Sequence, residues 1–307
     1  MKGRLPAILG ATGTGKTGLA VALAQRVGGE IVSCDSAQIY RGLDVGTASP
    51  TPEERAAAPH HLVDVLEPEA RWSAADFAAA ADAAIADIRA RGRIPILVGG
   101  NGLWYRALVK GIFEAPAIDP ELRAAVREEL RERGPEAMHV ELSAVDPKAA
   151  ARIQPRDPQR IGRALEVFRQ TGTPISTYQD AHGFRDRRYA VSALALDWAR
   201  EPLREHLGRR VRRMYAEGLL EETRACLDRG VPPDAPGLST IGYKDAVAHL
   251  EGRLERAEAE EATIVATRRY AKRQRNWFRH EEEVAWVPPE TDVEQAIRVL
   301  RPALTEV

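Results

Sequence analysis

Short apolar runs alternate with amphipathic stretches in the first third of the chain. Residues 5–9, 30–34 and 94–98 have the length and composition of buried strands. Apolar residues in the stretch 19–27 recur every three or four positions, which is the spacing of a helix with one buried face. Alternation of strand and helix in this manner predicts an α/β fold with a parallel sheet.

The pattern changes in the middle of the chain. From Ile118 to His182 it indicates helices separated by Pro and Gly, and a strand pattern returns only at 189–196. We therefore predict an inserted all-helical domain at 118–185. The α/β core is expected to consist of a first part at 1–117 and a remainder at 186–307.

A glycine-rich segment joins the first predicted strand to the first predicted helix. Its sequence, GATGTGKT, matches the phosphate-binding loop GxxxxGK[ST] at every fixed position. Glycines let the backbone amides point inward, and the following helix adds its positive end. Lys16 supplies a mobile point charge and the Thr17 hydroxyl can bind Mg²⁺. We expect a phosphate or diphosphate to bind to Gly10, Ala11, Thr12, Gly13, Thr14, Gly15, Lys16 and Thr17.

Polar side chains follow two other predicted strands at the point where each strand ends. Asp35 comes directly after the strand at 30–34, and Asn101 lies between glycines after the strand at 94–98. The carboxyl ends of parallel strands meet at one edge of a sheet, so both side chains are expected near the phosphate loop. Two structural alternatives remain open. Asp35 could be a helix N-cap, and the glycine segment around Asn101 could be a plain strand-to-helix turn.

One helix of the predicted insertion presents polar residues on its outer face. Asp157 is its expected N-cap and Pro158 its first residue. The buried face is marked by Ile161, Leu165 and Phe168, whereas Gln159, Arg160 and Arg163 lie on or beside the open face. A solvated surface is the ordinary explanation for such residues.

The last long predicted helix is polarised in charge. Glutamates dominate its start near 255–261, and six basic residues without an acid lie between 268 and 279, with three aromatic residues among them. This order suits the helix dipole. It equally suits a surface for a polyanion, and the interleaved aromatic residues favour RNA.

Composition narrows the class of protein only modestly. The 307 residues contain 44 Lys and Arg against 45 Asp and Glu, so the overall charge argues neither for nor against nucleic acid. Cys34 and Cys226 are far apart and show no metal-ligand spacing, which fits a reducing cytoplasm. No stretch approaches the roughly 20 apolar residues of a membrane span. We expect a cytoplasmic monomer that is not bound to a membrane.

Several segments together resemble bacterial tRNA dimethylallyltransferases, which prenylate an adenosine beside the anticodon. The matching segments are GATGTGKT at 10–17, CDSAQIYRGLDVGTA at 34–48, HHLVDVLEP at 60–68, GGNGLWYRAL at 99–108, DPQRIGRALEVF at 157–168, STIGYKDA at 239–246 and RRYAKRQRNWFR at 268–279. They span nearly the whole chain in order. Asn101 is a departure, since the family usually has Thr after the glycine pair.

The resemblance implies a P-loop core with an inserted helical domain that grips the anticodon loop. It implies that the loop binds dimethylallyl diphosphate with Mg²⁺, with Thr17 and Asp35 as metal ligands. Asp35 would also be the base that takes a proton from adenine N6, and Arg210 would contact the diphosphate. The implied tRNA contacts are Asp35, Ser36, Ala37, Gln38, Asn101, Arg123, Gln159, Arg160, Ile161, Gly162 and Arg163.

Two other functions share the phosphate loop. A P-loop small-molecule kinase would place ATP in the loop and use Asp35 to bind a hydroxylated acceptor. A nucleotide-gated RNA-binding module would bind tRNA and leave Asp35 without a chemical role. The helical insertion and the basic terminal helix favour an RNA substrate over the kinase.

Overall fold

The computed structural model describes residues 2–112, 118–182 and 187–304. The chain divides into two compact units. One comprises Met1–Val109 with Arg187–Val307, and the other comprises Lys110–Asp186. The predicted boundary at 117/118 adjoins a segment outside the described residues, and the boundary at 185/186 falls within another. Both boundaries stay predictions.

The larger unit is built on a six-stranded parallel sheet with the strand order β3-β2-β4-β1-β5-β6. Its strands are β1 (Arg4–Leu9), β2 (Gly29–Cys34), β3 (His60–His61), β4 (Ile94–Gly99), β5 (Ala190–Leu196) and β6 (Val284–Val287). Every strand pair is parallel. Strands β1, β2 and β4 are buried along almost their whole length, as the continuous apolar runs predicted. The α/β fold class is confirmed.

Helices complete this unit. They are α1 (Lys16–Val27), α2 (Pro52–Ala57), α3 (Ala74–Ala90), α4 (Gly102–Lys110), α9 (Arg200–Ala216), α10 (Leu219–Asp228), α11 (Tyr243–Leu250), α12 (Arg256–Phe278) and α13 (Val293–Leu304). Helix α3 begins with a capping box in which Ser73 and Asp76 bond each other's backbone N–H. Leu23 of α1 and Leu300 of α13 belong to one apolar cluster with strands β1, β2 and β4.

The smaller unit is helical. It contains α5 (Pro120–Val145), α6 (Pro147–Ala150), α7 (Pro158–Thr171) and α8 (Ile175–His182). Helix α5 bends at Gly134, whose φ of 77° no helical residue adopts. Helix α7 begins as predicted, because the Asp157 carboxylate accepts a hydrogen bond from the Arg160 N–H at 3.0 Å. No helix among the described residues combines the length and apolar character needed to cross a bilayer.

Candidate active site

The carboxyl ends of three strands bring the predicted site residues to one edge of the sheet. Strand β1 leads into the phosphate loop, β2 ends before Asp35, and β4 ends before Gly100. Thr12, Asp35 and Arg210 line a single cavity of about 270 Å³. The carboxylate therefore lies on the same side of the sheet as the glycine loop, as the strand-end argument predicted.

The phosphate loop has the backbone that its glycines were expected to allow. Gly13 and Gly15 have φ values of 73° and 94°, a left-handed conformation that other residues adopt at a cost. Gly15 is the N-cap of α1, and no side chain caps this helix. The first amides of α1 are thus left for an anion, and the helix dipole adds to its attraction.

Lys16 is the cation of the loop. Its ammonium donates a hydrogen bond to the Ala11 carbonyl at 2.5 Å. Burial lowers the pKa of Lys16 to about 8, the Asp35 carboxylate opposes that shift, and the Arg210 guanidinium adds to it. A lysine with this pKa is mostly charged at neutral pH and can pair with an anion.

Side chains from distant parts of the chain hold the loop in place. The Trp198 indole N–H donates to the Thr14 carbonyl at 3.1 Å, and the Gln274 carboxamide accepts from the Thr12 N–H at 2.8 Å. Sequence reasoning missed both residues. Trp198 follows the end of β5 by two positions, so the strand-end rule that found Asp35 could have found it. Gln274 lies in the basic stretch of α12 and carried no such signal.

The surroundings of Asp35 are polar and positively charged. Its Oδ1 accepts a hydrogen bond from the Ala37 N–H at 2.9 Å and so stabilises a local turn. No helix begins there, so Asp35 is not a helix N-cap. Burial and the charge on Arg213 lower the pKa of the nearby Arg210 guanidinium, while Asp35 opposes this shift. Tyr270 lines the same cavity, and burial followed by the negative charge of Asp35 raises its pKa.

The other residues predicted to contact RNA in this unit fall into two groups. Ser36 and Ala37 line the cavity beside Asp35. Gln38 and Asn101 use their side chains within the protein. Gln38 accepts from the Ser33 hydroxyl at 3.0 Å and donates to the Ala48 carbonyl at 3.2 Å. Asn101 accepts from the Trp104 N–H at 3.1 Å and so caps α4.

The predicted RNA-contacting residues of the helical unit are likewise divided. Gln159 and Arg160 are exposed on α7. Arg163 and Arg123 flank the Glu166 carboxylate, at 3.6 Å and 3.9 Å.

Two residues of that set are placed differently from the prediction. The Ile161 side chain is fully buried in the core of the helical unit. Gly162 is buried where α7 approaches α5, and a Cβ there would lie 3.0 Å from Leu130. A helix turns by about 100° per residue, so a run of five cannot lie on one face. The Ile161 side chain is therefore not available to RNA, and contact of RNA with these two positions stays a prediction about their backbone.

The oxygen ligands available for a metal ion are few. No group of three or more His, Cys, Asp or Glu side chains that could hold a metal occurs in the part of the chain that the structure describes. Thr17 lies in the first turn of α1 and Asp35 lies at the same cavity as the loop. This donor set fits Mg²⁺, which keeps several waters and is usually held by one or two side chains together with substrate phosphates.

Comparison with known proteins places the chain in a family. A family model described as IPP transferase matches residues 38–281, and a model described as isopentenyl transferase matches residues 3–60. The chain belongs to the IPP transferase family. A tRNA dimethylallyltransferase of Anaeromyxobacter dehalogenans (strain 2CP-C) is 55% identical over 298 residues, which is 96% of this chain and 98% of the relative. One of Geobacter metallireducens is 47% identical over 286 residues, 93% of each chain.

Solved structures of this family share the fold. A tRNA isopentenylpyrophosphate transferase from Bacillus halodurans aligns with a TM-score of 0.68 at 37% identity, covering 96% of this chain and 93% of that one. A eukaryotic dimethylallyltransferase acting on tRNA aligns with a TM-score of 0.78 at 27% identity, covering 98% of this chain and 77% of that one. The resemblance seen in the sequence motifs is confirmed.

Helix α12 contributes more to the site of this IPP transferase family member than its basic surface suggested. Its inward face carries Thr263, Thr267, Tyr270 and Gln274; the first three line the cavity, and Gln274 bonds the phosphate loop. The Arg273 guanidinium also lines the cavity and lies 5.6 Å from the centre of the Tyr270 ring. Helix α12 therefore forms part of the site and also carries the basic surface.

Proposed function

We propose that the protein transfers the dimethylallyl group of dimethylallyl diphosphate to N6 of the adenosine 3′ of the anticodon, at position 37 of tRNA. The observation that supports this reaction best is the shared cavity of Thr12, Asp35 and Arg210. Thr12 of the phosphate loop and the Asp35 carboxylate border one crevice, which supports a reaction that uses both. A prenyl transfer needs both, one for the departing diphosphate and one for the proton of the attacking amine.

The cradle stabilises the leaving group. Diphosphate gains negative charge as the bond from its oxygen to the allylic carbon breaks. The amides at the start of α1, the Lys16 ammonium and the Arg210 guanidinium are fixed positive groups around that charge. Preorganised donors of this kind lower the barrier because they need no rearrangement during the reaction.

Asp35 accepts the proton of the acceptor amine. The adenine N6 amine is a weak nucleophile and too weak an acid to be deprotonated beforehand by a carboxylate. The base instead takes the proton while N6 forms its bond to the allylic carbon, which is general base catalysis. Oδ1 of Asp35 already accepts a hydrogen bond from the Ala37 N–H, so we assign Oδ2 as the atom that takes the proton. The adenine must leave its stack to reach the crevice, as in base flipping.

Mg²⁺ is the cofactor that these residues fit. Thr17 and the diphosphate oxygens would hold it, with Asp35 as a further ligand. When bound, the ion neutralises charge on the diphosphate.

The helical unit supplies the proposed contacts to the anticodon loop. Gln159 and Arg160 are exposed on one face of α7, and Arg163 and Arg123 each retain partial exposure beside Glu166. Guanidinium groups pair well with phosphates, so this surface suits an RNA backbone. We expect the protein to act as a monomer in the cytoplasm.

Incubation of the protein with unmodified tRNA, Mg²⁺ and dimethylallyl diphosphate, followed by mass analysis of the digested nucleosides, tests the proposal. We expect one prenylated adenosine per tRNA. Absence of this product together with ATP-dependent phosphorylation of a metabolite would show a kinase. Tight tRNA binding without any product from either donor would show an RNA-binding module.

A further inference from the structure

One buried amide on α12 joins two loops of the candidate active site. Gln274 is 4% exposed and lies on the same inward face as Ala271 and Phe278, which are also buried. Its Oε1 accepts a hydrogen bond from the Thr12 N–H at 2.8 Å, and its Nε2 donates one to the Gly100 carbonyl at 3.0 Å. Because the two ends of the carboxamide serve different partners, its orientation is fixed.

The peptide unit between Ala11 and Thr12 is held at both of its polar atoms. Its N–H donates to Gln274, while its carbonyl accepts from the Lys16 ammonium at 2.5 Å and from the Thr14 hydroxyl at 2.9 Å. A trans peptide is planar and its N–H and C=O point in opposite directions. Fixing the N–H therefore fixes the direction of the carbonyl that receives Lys16.

The second partner of Gln274 ties this peptide to the loop after β4. A Cβ added at Gly100 would lie 2.0 Å from Gln274 Nε2 and 3.0 Å from the Gly10 carbonyl oxygen. Only glycine allows the carboxamide to come this close to the backbone. The same loop carries Asn101, whose N–H bonds the Cys34 carbonyl at the end of β2.

We propose that Gln274 is a positioning residue for the diphosphate cradle. By fixing the peptide between Ala11 and Thr12, it holds the Lys16 ammonium where the diphosphate binds. By bonding the Gly100 carbonyl, it keeps the loop after β4 in a set position beside the cradle. The Thr12 N–H is occupied by Gln274, so this amide is not available to the anion. This inference rests on the proposed function.

Gln274→Met tests the inference because methionine fills a similar volume and makes neither hydrogen bond. We expect about tenfold weaker binding of inorganic pyrophosphate by calorimetry, as the loss of a buried hydrogen bond implies. The KM for dimethylallyl diphosphate should rise by a similar factor, and the KM for tRNA should stay the same. Asn276→Leu, an exposed change on the same helix, is the matched control and should leave these values unchanged.

Gln274→Glu separates hydrogen bonding from the filling of space. An ionised glutamate still accepts from the Thr12 N–H, but it presents a second acceptor to the Gly100 carbonyl. At about pH 8 the pyrophosphate affinity of this variant should therefore fall at least as far as that of Gln274→Met, since the introduced charge also repels the anion. Unchanged affinity in Gln274→Met would contradict the inference.

Gly100→Ala tests the same contact from the other side, and it carries the test if Gln274→Met does not fold. The added methyl displaces the carboxamide, so we expect a similar loss of pyrophosphate affinity; wild-type affinity would overturn the inference. Calorimetry requires no turnover. A wild-type protein that binds pyrophosphate through Gln274 and yet prenylates no tRNA would refute the proposed function and support the positioning role. A wild-type protein that prenylates tRNA, and whose pyrophosphate affinity does not change when Gln274 is replaced, would support the proposed function and refute the positioning role.

Discussion

The Lys16 ammonium lies 2.5 Å from the carbonyl oxygen of Ala11, within the loop that it serves. Burial lowers the pKa of this lysine to about 8 from its usual 10.5. In the proposed reaction the charged form of Lys16 pairs with the diphosphate, so we expect the affinity to fall as pH rises through that value. Above about pH 8 we expect up to tenfold weaker pyrophosphate binding per pH unit, relative to a Lys16→Met variant.

Isothermal titration at several pH values measures this dependence. The comparison with Lys16→Met is needed because pyrophosphate itself gains charge as pH rises, in both proteins. A constant ratio of the two affinities between about pH 7 and about pH 9 would mean that Lys16 does not titrate in this range.

Replacement of Asp35 should separate chemistry from RNA binding. Asp35→Asn keeps an oxygen for the Ala37 N–H and loses the basic carboxylate. We expect kcat to fall by about 10²–10⁴, the usual contribution of a general base. Affinity for tRNA, measured by filter binding, should stay within a few-fold of wild type. Turnover at the wild-type rate would show that Asp35 is not the general base.

Arg160, which is exposed, and Arg163, which is partly exposed, give a prediction about salt dependence. We expect the double change Arg160→Ala and Arg163→Ala to weaken tRNA binding. It should also reduce the slope of log affinity against log salt by about 1.5, because about 0.7–0.9 of a counterion is released per phosphate contact. Arg131→Ala on α5 is the control, since Arg131 is exposed and pairs with Glu128. An unaltered slope in the double variant would show that this face is an ordinary solvated surface without phosphate contacts.

A buried carboxylate on β2, Glu30, pairs with the exposed Arg91 and should contribute to stability in acid. Glu30 bonds Arg91, at 2.9 Å from Nη2, and His61 at 2.7 Å. The hydrogen bonds to Arg91 lower the pKa of Glu30 to about 2 from 4.5. The resulting stability is present above pH 4.5 and is lost as pH falls toward 2.

Denaturant unfolding of variants tests this pair. Arg91→Ala should lower the stability at neutral pH, because it removes the main partner of the Glu30 carboxylate and leaves it the His61 hydrogen bond. Glu30→Gln should lose less stability than wild type between pH 4.5 and 2. Equal acid sensitivity of wild type and Glu30→Gln would contradict the assignment.

Local sequence signals were sufficient to predict the phosphate loop, the position of Asp35 at a strand end and the start of α7. Each depends on neighbours along the chain: a glycine spacing at 10–17, a polar residue after a strand, or a cap with Pro158 behind it. These signals follow from backbone conformation and strand direction, which short segments encode. They predicted where chemistry could occur without any knowledge of packing.

The residues that hold the loop could not be found in the same way. Gln274 acts through a contact with Thr12, which is 262 positions away in the chain. A basic helix with one inward amide has no local pattern that reveals its partner. Strand β6 and helix α13 were not predicted either, since β6 has only four residues and its pairing with β5 is a long-range contact. Ile161 was assigned to RNA with its neighbours in a motif, although helix periodicity already favoured its burial.

The central claim is that the cradle and Asp35 act on one reacting centre, the N6 amine of adenosine. Release of pyrophosphate from dimethylallyl diphosphate, measured with two anticodon stem-loops, tests it most directly. One stem-loop carries adenosine at the target position and the other carries purine riboside, which lacks the amine. We predict one pyrophosphate per stem-loop with adenosine and none with purine riboside. Equal release from both would contradict the account.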